Sequence, residues 1–309
     1  MHQSPKRTVW AGGMLLAACL LAAPASAKTA GNEGLSPTLA NIKKTHVVRL
    51  GYRESSPPFS FLDQSNRPIG YSLELCEAIV EEIGVEVDDA NLKIEYVKVT
   101  SDDRIPAVVQ NKIDLECGST TANAERAKQV AFSPLMFVAG TKLMVPKAST
   151  ISAPADLKGK TVVVTKGTTN EQAMHNVDKK FSLGLNIVVS PDHEKSYQTL
   201  VDGKADAFAT DDILLYGLIA RHKAQDKFKV SGEYLSYDPY GIMFRKGEPQ
   251  LTAVVERTFR KLGSNRDLIP LYNKWFVARL PTGEKLGVSI SPQLEEAFKV
   301  LDDSAGANN

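Results

Sequence analysis

The 309-residue chain holds only three cysteines and five histidines, its charges nearly cancel (37 Lys and Arg against 36 Asp and Glu), and it has one long apolar run. Each scarcity removes a class of function. Balanced charge argues against a nucleic-acid footprint, which needs a basic face. His2, His46, His175, His193 and His222 are too scattered for a metal cluster, and no HExxH, GxSxG or phosphate-loop pattern occurs. No cofactor is expected.

The apolar run, Val9 to Ala23, follows Lys6 and Arg7 and precedes Ala25-Ser26-Ala27. That order spells a secretory signal, residues 1–27, cut before Lys28, which places the mature chain in the periplasm. The run is short for a membrane span and contains Gly12 and Gly13. Lipoprotein anchoring at Cys19, in "LAAC", is the alternative. Cleavage would remove two cations and leave the acidic residues one ahead. It would also leave two cysteines, Cys76 and Cys117. Export to an oxidising compartment allows a disulfide between them; two buried thiols is the other reading. Export further removes ATP-driven and nicotinamide chemistry from consideration, and with no second apolar run the mature chain is expected to be soluble.

What is present is alternation. "HVVRLGY", "YSLELCEAIVEEIG", "LKIEYVKV", "RIPAVVQN" and "KIDLECG" read as strand, helix, strand, helix, strand, and "KTVVVTKG", "NEQAMHNVDKKF", "LNIVVS", "YQTLVDG" and "KADAFATDD" repeat the series. The match is closest between "VVQNKIDLEC" and "LVDGKADAFA". The pattern predicts an α/β protein of two lobes, each a mostly parallel sheet flanked by helices. Lobe 1 is expected to comprise residues 28–143 and 245–309, and lobe 2 residues 144–244. Two strands, in "GTKLMVPK" and "YGIMFRKGE", would cross between the lobes as a hinge. The helical tail "LTAVVERTFRKLGSNRDLIPLYNKWF" has no strand set of its own and should pack back on lobe 1.

In open α/β sheets the carboxyl ends of the strands face the ligand crevice. The residues after the predicted strands are Arg53, Ser101, Arg104, Ser119, Thr121 and Arg126 in lobe 1, and Thr168, Thr169, His193 and Asp211 in lobe 2. "ECGSTTANAER" reads as a strand breaking at Gly118 into a Ser119-Thr120-Thr121 cap that opens a helix through Val130, an anion-binding junction with Arg126 beside it. Singly, an arginine is usually a surface residue and an aspartate after a strand a helix cap. Together, several cations at the ends of the same sheets would repel one another without anions. A carboxylate suits Thr121, Arg126 and Thr169; an ammonium suits Asp211; a second carboxylate suits Arg53, Arg104, Ser101 and His193. An acidic amino acid carries those three groups.

The chain resembles the periplasmic amino-acid-binding proteins of ABC importers (solute-binding protein family 3), in particular the glutamate/aspartate-binding subgroup. The resemblance spans roughly residues 40 to 280, on "YRESSPPFSF", "TSDDRIPAVVQNKIDLECGSTTANAERAKQVAFS", "DLKGKTVVVTKGTTNE", "DHEKSYQTL" and "TDDILL". It implies a type II two-lobed fold, capture without chemistry, L-glutamate or L-aspartate as ligand, delivery to an inner-membrane permease, and a monomer. It implies Arg53, Ser101, Arg104 and His193 on the side-chain carboxylate. Ser119, Thr121, Arg126 and Thr169 fall to the α-amino and α-carboxylate groups, with Asp211 on the ammonium. One departure is Ser72, where the broader family favours an acidic residue. The alternative is an exported dehydratase-like enzyme on the same fold, of cyclohexadienyl or arogenate type, for which Glu54 is the nearest acid.

Overall fold

The computed structural model describes residues 1–2 and 34–306, so the signal-peptide and Cys19 readings fall, from residue 3 on, outside the described residues. Helix α1 (Pro37–Thr45) leads into β1 (Val47–Tyr52). The serine- and proline-rich stretch after it makes a small antiparallel sheet of β2 (Ser55–Ser56), β3 (Ser60–Leu62) and β4 (Pro68–Ile69). Helix α2 (Tyr71–Val87) repeats Leu75, Cys76, Ile79, Val80, Ile83 and Val87 at the three-to-four spacing of one face, and all are buried. Then come β5 (Lys93–Lys98), α3 (Arg104–Val109), β6 (Leu115–Glu116) and β7 (Val130–Phe132). Strands β5 and β6 flank β1 in parallel, as strand–helix alternation requires.

The chain leaves on β8 (Phe137–Ala139) and enters a second sheet with β9 (Thr141–Pro146). That sheet is built with β10 (Thr161–Thr165), α4 (Thr169–Phe181), β11 (Asn186–Ser190), α5 (His193–Val201), β12 (Ala207–Asp211), α6 (Asp212–Arg221) and β13 (Phe228–Ser231). Its order is β11-β10-β12-β9-β13. The return is β14 (Asp238–Tyr240), antiparallel to β8, with Ala139 opposite Asp238 and Phe137 opposite Tyr240. Strand β15 (Met243–Arg245) then fits antiparallel between β6 and β7, completing the first sheet as β5-β1-β6-β15-β7.

The crossings therefore fall at 137–139 and 238–240, just before "GTKLMVPK" and at the very start of "YGIMFRKGE". Thr141–Leu143 already pair in the second sheet and Met243–Phe244 already pair in the first. Each of those segments alternates apolar residues against a neighbouring strand, which fixes it in a sheet rather than in a linker.

The repeat reaches individual hydrogen bonds. Asp114 takes the N–H of Arg49 on a side-chain oxygen at 2.8 Å and gives its own N–H to the Arg49 carbonyl; Asp206 does the same with Thr161. Both faces of the second sheet are covered: Val162, Val164, Ala207 and Ala209 meet Met174 and Val177, and Val163 and Phe208 meet Tyr197, Leu215 and Leu218. This period of two with burial on both sides is what a sheet between helix layers needs. The tail does return to the first sheet. In α7 (Pro249–Ser264), Leu251, Val254, Val255 and Phe259 share a core with Ile79 and Ile83, and Glu82 accepts from Arg257 at 3.0 Å and Lys261 at 2.6 Å. Helix α8 (Leu268–Tyr272) continues into Trp275 and Phe276, and α9 (Pro292–Gly306) adds Leu294 and Phe298 to the same core.

The helix expected from Ser119 to Val130 does not form. Thr121 bridges to Tyr240, the Ala122 N–H donates to the Pro239 carbonyl, and only a three-residue 3-10 turn follows at Arg126–Lys128. Pairing with the crossing strand claims the backbone that a helix would have used. Cys76 and Cys117 are joined by a disulfide, Cα–Cα 6.1 Å, tying α2 to the end of β6.

Candidate ligand-binding cleft

The residues after the parallel strands of both sheets meet. Arg104, Ser119 and Thr121 from the first sheet and Thr168, Thr169, Asn170, His193 and Asp211 from the second line one small cavity of about 10 Å³. Arg53 and Ser101 adjoin it: the Arg53 Nη2 donates to the Ser101 hydroxyl at 2.5 Å. Arg126 Nη1 donates to the Thr121 carbonyl at 2.9 Å. Arg126 and Arg104 both aim an Nη2 at the Gly167 carbonyl across the seam, at 3.4 and 3.5 Å. The ten residues selected by strand position are thus brought together.

Local sequence explains each placement. Thr168 caps α4 by accepting the Glu171 N–H at 3.1 Å, which puts Thr169 in the first turn at the positive end of a thirteen-residue helix. Asp192 caps α5 by accepting the Lys195 N–H at 2.8 Å, which sets His193 at its first position. Ser72 donates to the Gly118 carbonyl at 2.8 Å and so braces the loop carrying Ser119; here a short hydroxyl does what an acidic side chain would not. Gly118 is itself required, because a Cβ there would stand 2.3 Å from Glu116 Oε1 and 3.0 Å from Arg53.

Burial is severe. Arg53 and Arg104 are each 2% exposed and His193 is 1% exposed. Arg53 Nη1, Arg104 Nε, His193 Nε2 and the Ser119 hydroxyl have no hydrogen-bond partner. Unpaired buried donors cost a desolvation penalty of about 1–3 kcal/mol each, more when charged, so their clustering marks a place where a ligand supplies acceptors. Burial, then the neighbouring Arg104, lowers Arg53 to a pKa of about 10 and Arg126 to about 9. Burial, then Arg53 and Arg104, hold the His193 imidazole well below its ordinary value, so it is neutral at pH 7.

The cations are not without anions, as their positions alone suggested. Glu116 is fully buried, accepts from the Thr120 hydroxyl at 2.6 Å and leaves Oε1 unpaired. Its charge counteracts the lowering of all three arginines. Asp211 accepts from Asn170 at 2.8 Å and from the Tyr240 hydroxyl. Burial, then the charge of Asp238, raises Asp211 to about 7. Asp238 takes both the Thr121 and Thr169 hydroxyls, at 3.0 and 2.7 Å.

Sequence reasoning missed Glu116, Asp238, Asn170, Ser56 and Tyr240. Glu116 carries a signal, a charge inside an apolar strand; Asp238, in "SYDPYG", carries none. Glu54, by contrast, is not among the cavity's lining residues: its side chain is 38% exposed and pairs with Lys98 at 2.5 Å.

The two sheets close on each other here. Ser56 and His193 meet across the seam, Lys166 pairs with Asp102 at 2.9 Å, and Gly167 lies so near Asp102 that a Cβ would stand 2.7 Å from its Cα. Among the described residues no helix is long and apolar enough to cross a membrane and no cluster fit for a metal occurs.

Two α/β lobes joined by a pair of crossing strands, with a charged cleft at the strand ends, define a solute-binding protein. Residues 48–278 match the family of bacterial extracellular solute-binding proteins, family 3, and the chain belongs to it. It is similar to the L-glutamate/L-aspartate-binding protein of Pseudomonas aeruginosa, 40% identical over 295 residues that cover 94% of this chain and 97% of that one. It is also similar to the glutamate/aspartate import solute-binding protein of Escherichia coli K12, 36% identical over 294 residues, covering 94% and 97%. Among solved structures, an ancestral amino acid-binding protein described as a precursor of cyclohexadienyl dehydratase is 30% identical, with a TM-score of 0.66 over 77% of this chain and 99% of that one.

Proposed function

We propose that this chain captures L-glutamate or L-aspartate outside the cytoplasm, between a discontinuous lobe that begins and ends the mature chain and an inserted lobe, and delivers it to an inner-membrane ABC permease. One observation carries the reading: buried Arg53, Arg104 and neutral His193, each with an unpaired nitrogen, cluster with buried Arg126 at a cavity also lined by a buried acid, Asp211, that can take an ammonium. Arg53, Ser101, Arg104 and His193 hold the side-chain carboxylate. Arg126 and Ser119, with the first turn of α4, hold the α-carboxylate. The names of the two bacterial relatives support the ligand class.

Closure removes Arg53 and Arg104 from water, so an amide in place of the carboxylate leaves buried charge unpaired, at a cost of several kcal/mol, on the order of 100-fold or more in affinity. Titration calorimetry should rank glutamate and aspartate at least that far ahead of glutamine and asparagine. Equal affinity for glutamine sinks the reading. Mass analysis of the small molecule released on denaturing the purified protein gives the ligand directly. Turnover of prephenate or arogenate is expected to be nil.

A further inference from the structure

Asp238 lies on the returning crossing strand, 2% exposed, and no positional rule for strand ends would select it. Its Oδ1 receives the Thr121 hydroxyl from one lobe at 3.0 Å and the Thr169 hydroxyl from the other at 2.7 Å, while Oδ2 receives Ser236. The two threonine oxygens stand 3.3 Å apart, farther from each other than from the carboxylate.

A hydroxyl has one proton and two lone pairs, and a carboxylate can only accept. Hydrogen bonds to a carboxylate are also roughly twice as strong as neutral ones, so the proton of each threonine goes to Asp238 rather than to the other threonine or to a ligand. Both side chains then present lone pairs alone to the cavity that they line. Lone pairs repel a carboxylate and attract an ammonium.

We infer that Asp238 is a positioning residue that fixes the Thr121 and Thr169 hydroxyls as acceptors and so makes them, with Asp211, the ammonium-recognition face of the cleft. This rests on the acidic-amino-acid reading and changes one part of it: neither threonine side chain binds the α-carboxylate. Because the two hydroxyls come from opposite lobes and converge on one oxygen of the strand between them, the acceptor pair is assembled only on closure.

The test compares glutamate with glutarate, which keeps both carboxylates and lacks the amino group. Wild-type protein should prefer glutamate by about 100-fold or more. Asp238→Asn, whose amide can donate to a threonine and reverse its polarity, should lower that preference at least tenfold with glutarate affinity unchanged or higher. Asp238→Glu should retain it. Thr169→Val, which keeps the Asp238 charge and removes one acceptor, should lower the preference as well, and reads the same ratio if Asp238→Asn does not fold. Equal losses for both ligands in Asp238→Asn would make Asp238 merely structural. A preference lowered by Asp238→Asn but untouched by Thr169→Val would assign its effect to charge alone; either result overturns the inference. Wild-type protein that binds no acidic amino acid overturns instead the reading on which it rests.

Discussion

The Ser56 hydroxyl and His193 Nδ1 lie 3.1 Å apart across the seam between the two sheets, while the other ring nitrogen of His193 has no partner and the charges of Arg53 and Arg104 act on the ring. One contact therefore serves both closure and the charge state of the cleft. Burial and the two guanidinium groups keep this imidazole neutral, so the folded chain binds fewer protons at His193 than the unfolded chain does. Its contribution to stability is full above the ordinary histidine pKa of about 6.5 and is lost as pH falls below it. Thermal melts of ligand-free protein between pH 7.5 and 5 should show wild type losing its advantage over His193→Gln as pH drops. Parallel curves for the two proteins would remove the histidine from the account.

Asp211 works in the opposite sense. Its pKa of about 7 lies above the value of 3.8 that it has outside the fold, so its stabilising effect is present below pH 3.8 and is lost as pH rises toward and past 7. Asp211→Asn should therefore gain stability relative to wild type between pH 5 and 8, by an amount on the order of a few kcal/mol at the upper end. A bound ammonium restores the charged form, so binding at pH 6 should release a proton from wild type and not from Asp211→Asn. Calorimetry in two buffers of different ionisation enthalpy measures that release. A release of the same size in the variant would detach Asp211 from the ammonium.

Gly167 has φ +73°, a backbone conformation that side chains with a Cβ rarely adopt, and it abuts the Asp102 backbone of the other lobe. Gly167→Ala is expected to weaken ligand affinity by tenfold or more, because the methyl group meets main-chain atoms only when the cleft is shut. Small-angle scattering should find the variant extended even with saturating ligand. A compact liganded variant of wild-type affinity would show that the loops can yield.

The Cys76–Cys117 disulfide closes a loop of 41 residues, which by the chain-entropy estimate contributes about 4 kcal/mol. It also pins the strand end next to Gly118 and Ser119. Replacing both cysteines by alanine should lower the midpoint of thermal unfolding by several degrees and weaken ligand binding as well. Reduced affinity without reduced stability, or neither, would contradict that double role.

The alternation of strands and helices and the positions of the candidate site were legible because a parallel strand between helices is an uninterrupted apolar run with a polar break, and "KTVVVTKG" or "LNIVVSPDH" says where the break falls. Arg53, Arg104, His193 and Asp211 follow from that break alone. Asp238 and Tyr240 do not: they sit on a three-residue strand paired with β8, a hundred residues earlier in the chain, and no local pattern records the pairing. The helix after Gly118 failed for the same reason. "STTANAERAKQV" has good helix chemistry, yet Thr121 and Ala122 are taken up by that distant strand. Local grammar named the groups that contact solvent-free space, and non-local pairing decided which of them point where.

The position of β15, wedged between β6 and β7, bears on the order in which the chain can fold as it is made. Until Met243–Arg245 has been synthesised, the earlier-made strands on either side of it have no neighbour to bridge them. The segment from Thr141 to Ser231 contains every strand of its own sheet and can condense as soon as it appears. The first-made sheet is therefore the last to be completed, and until then β7 has no place in it.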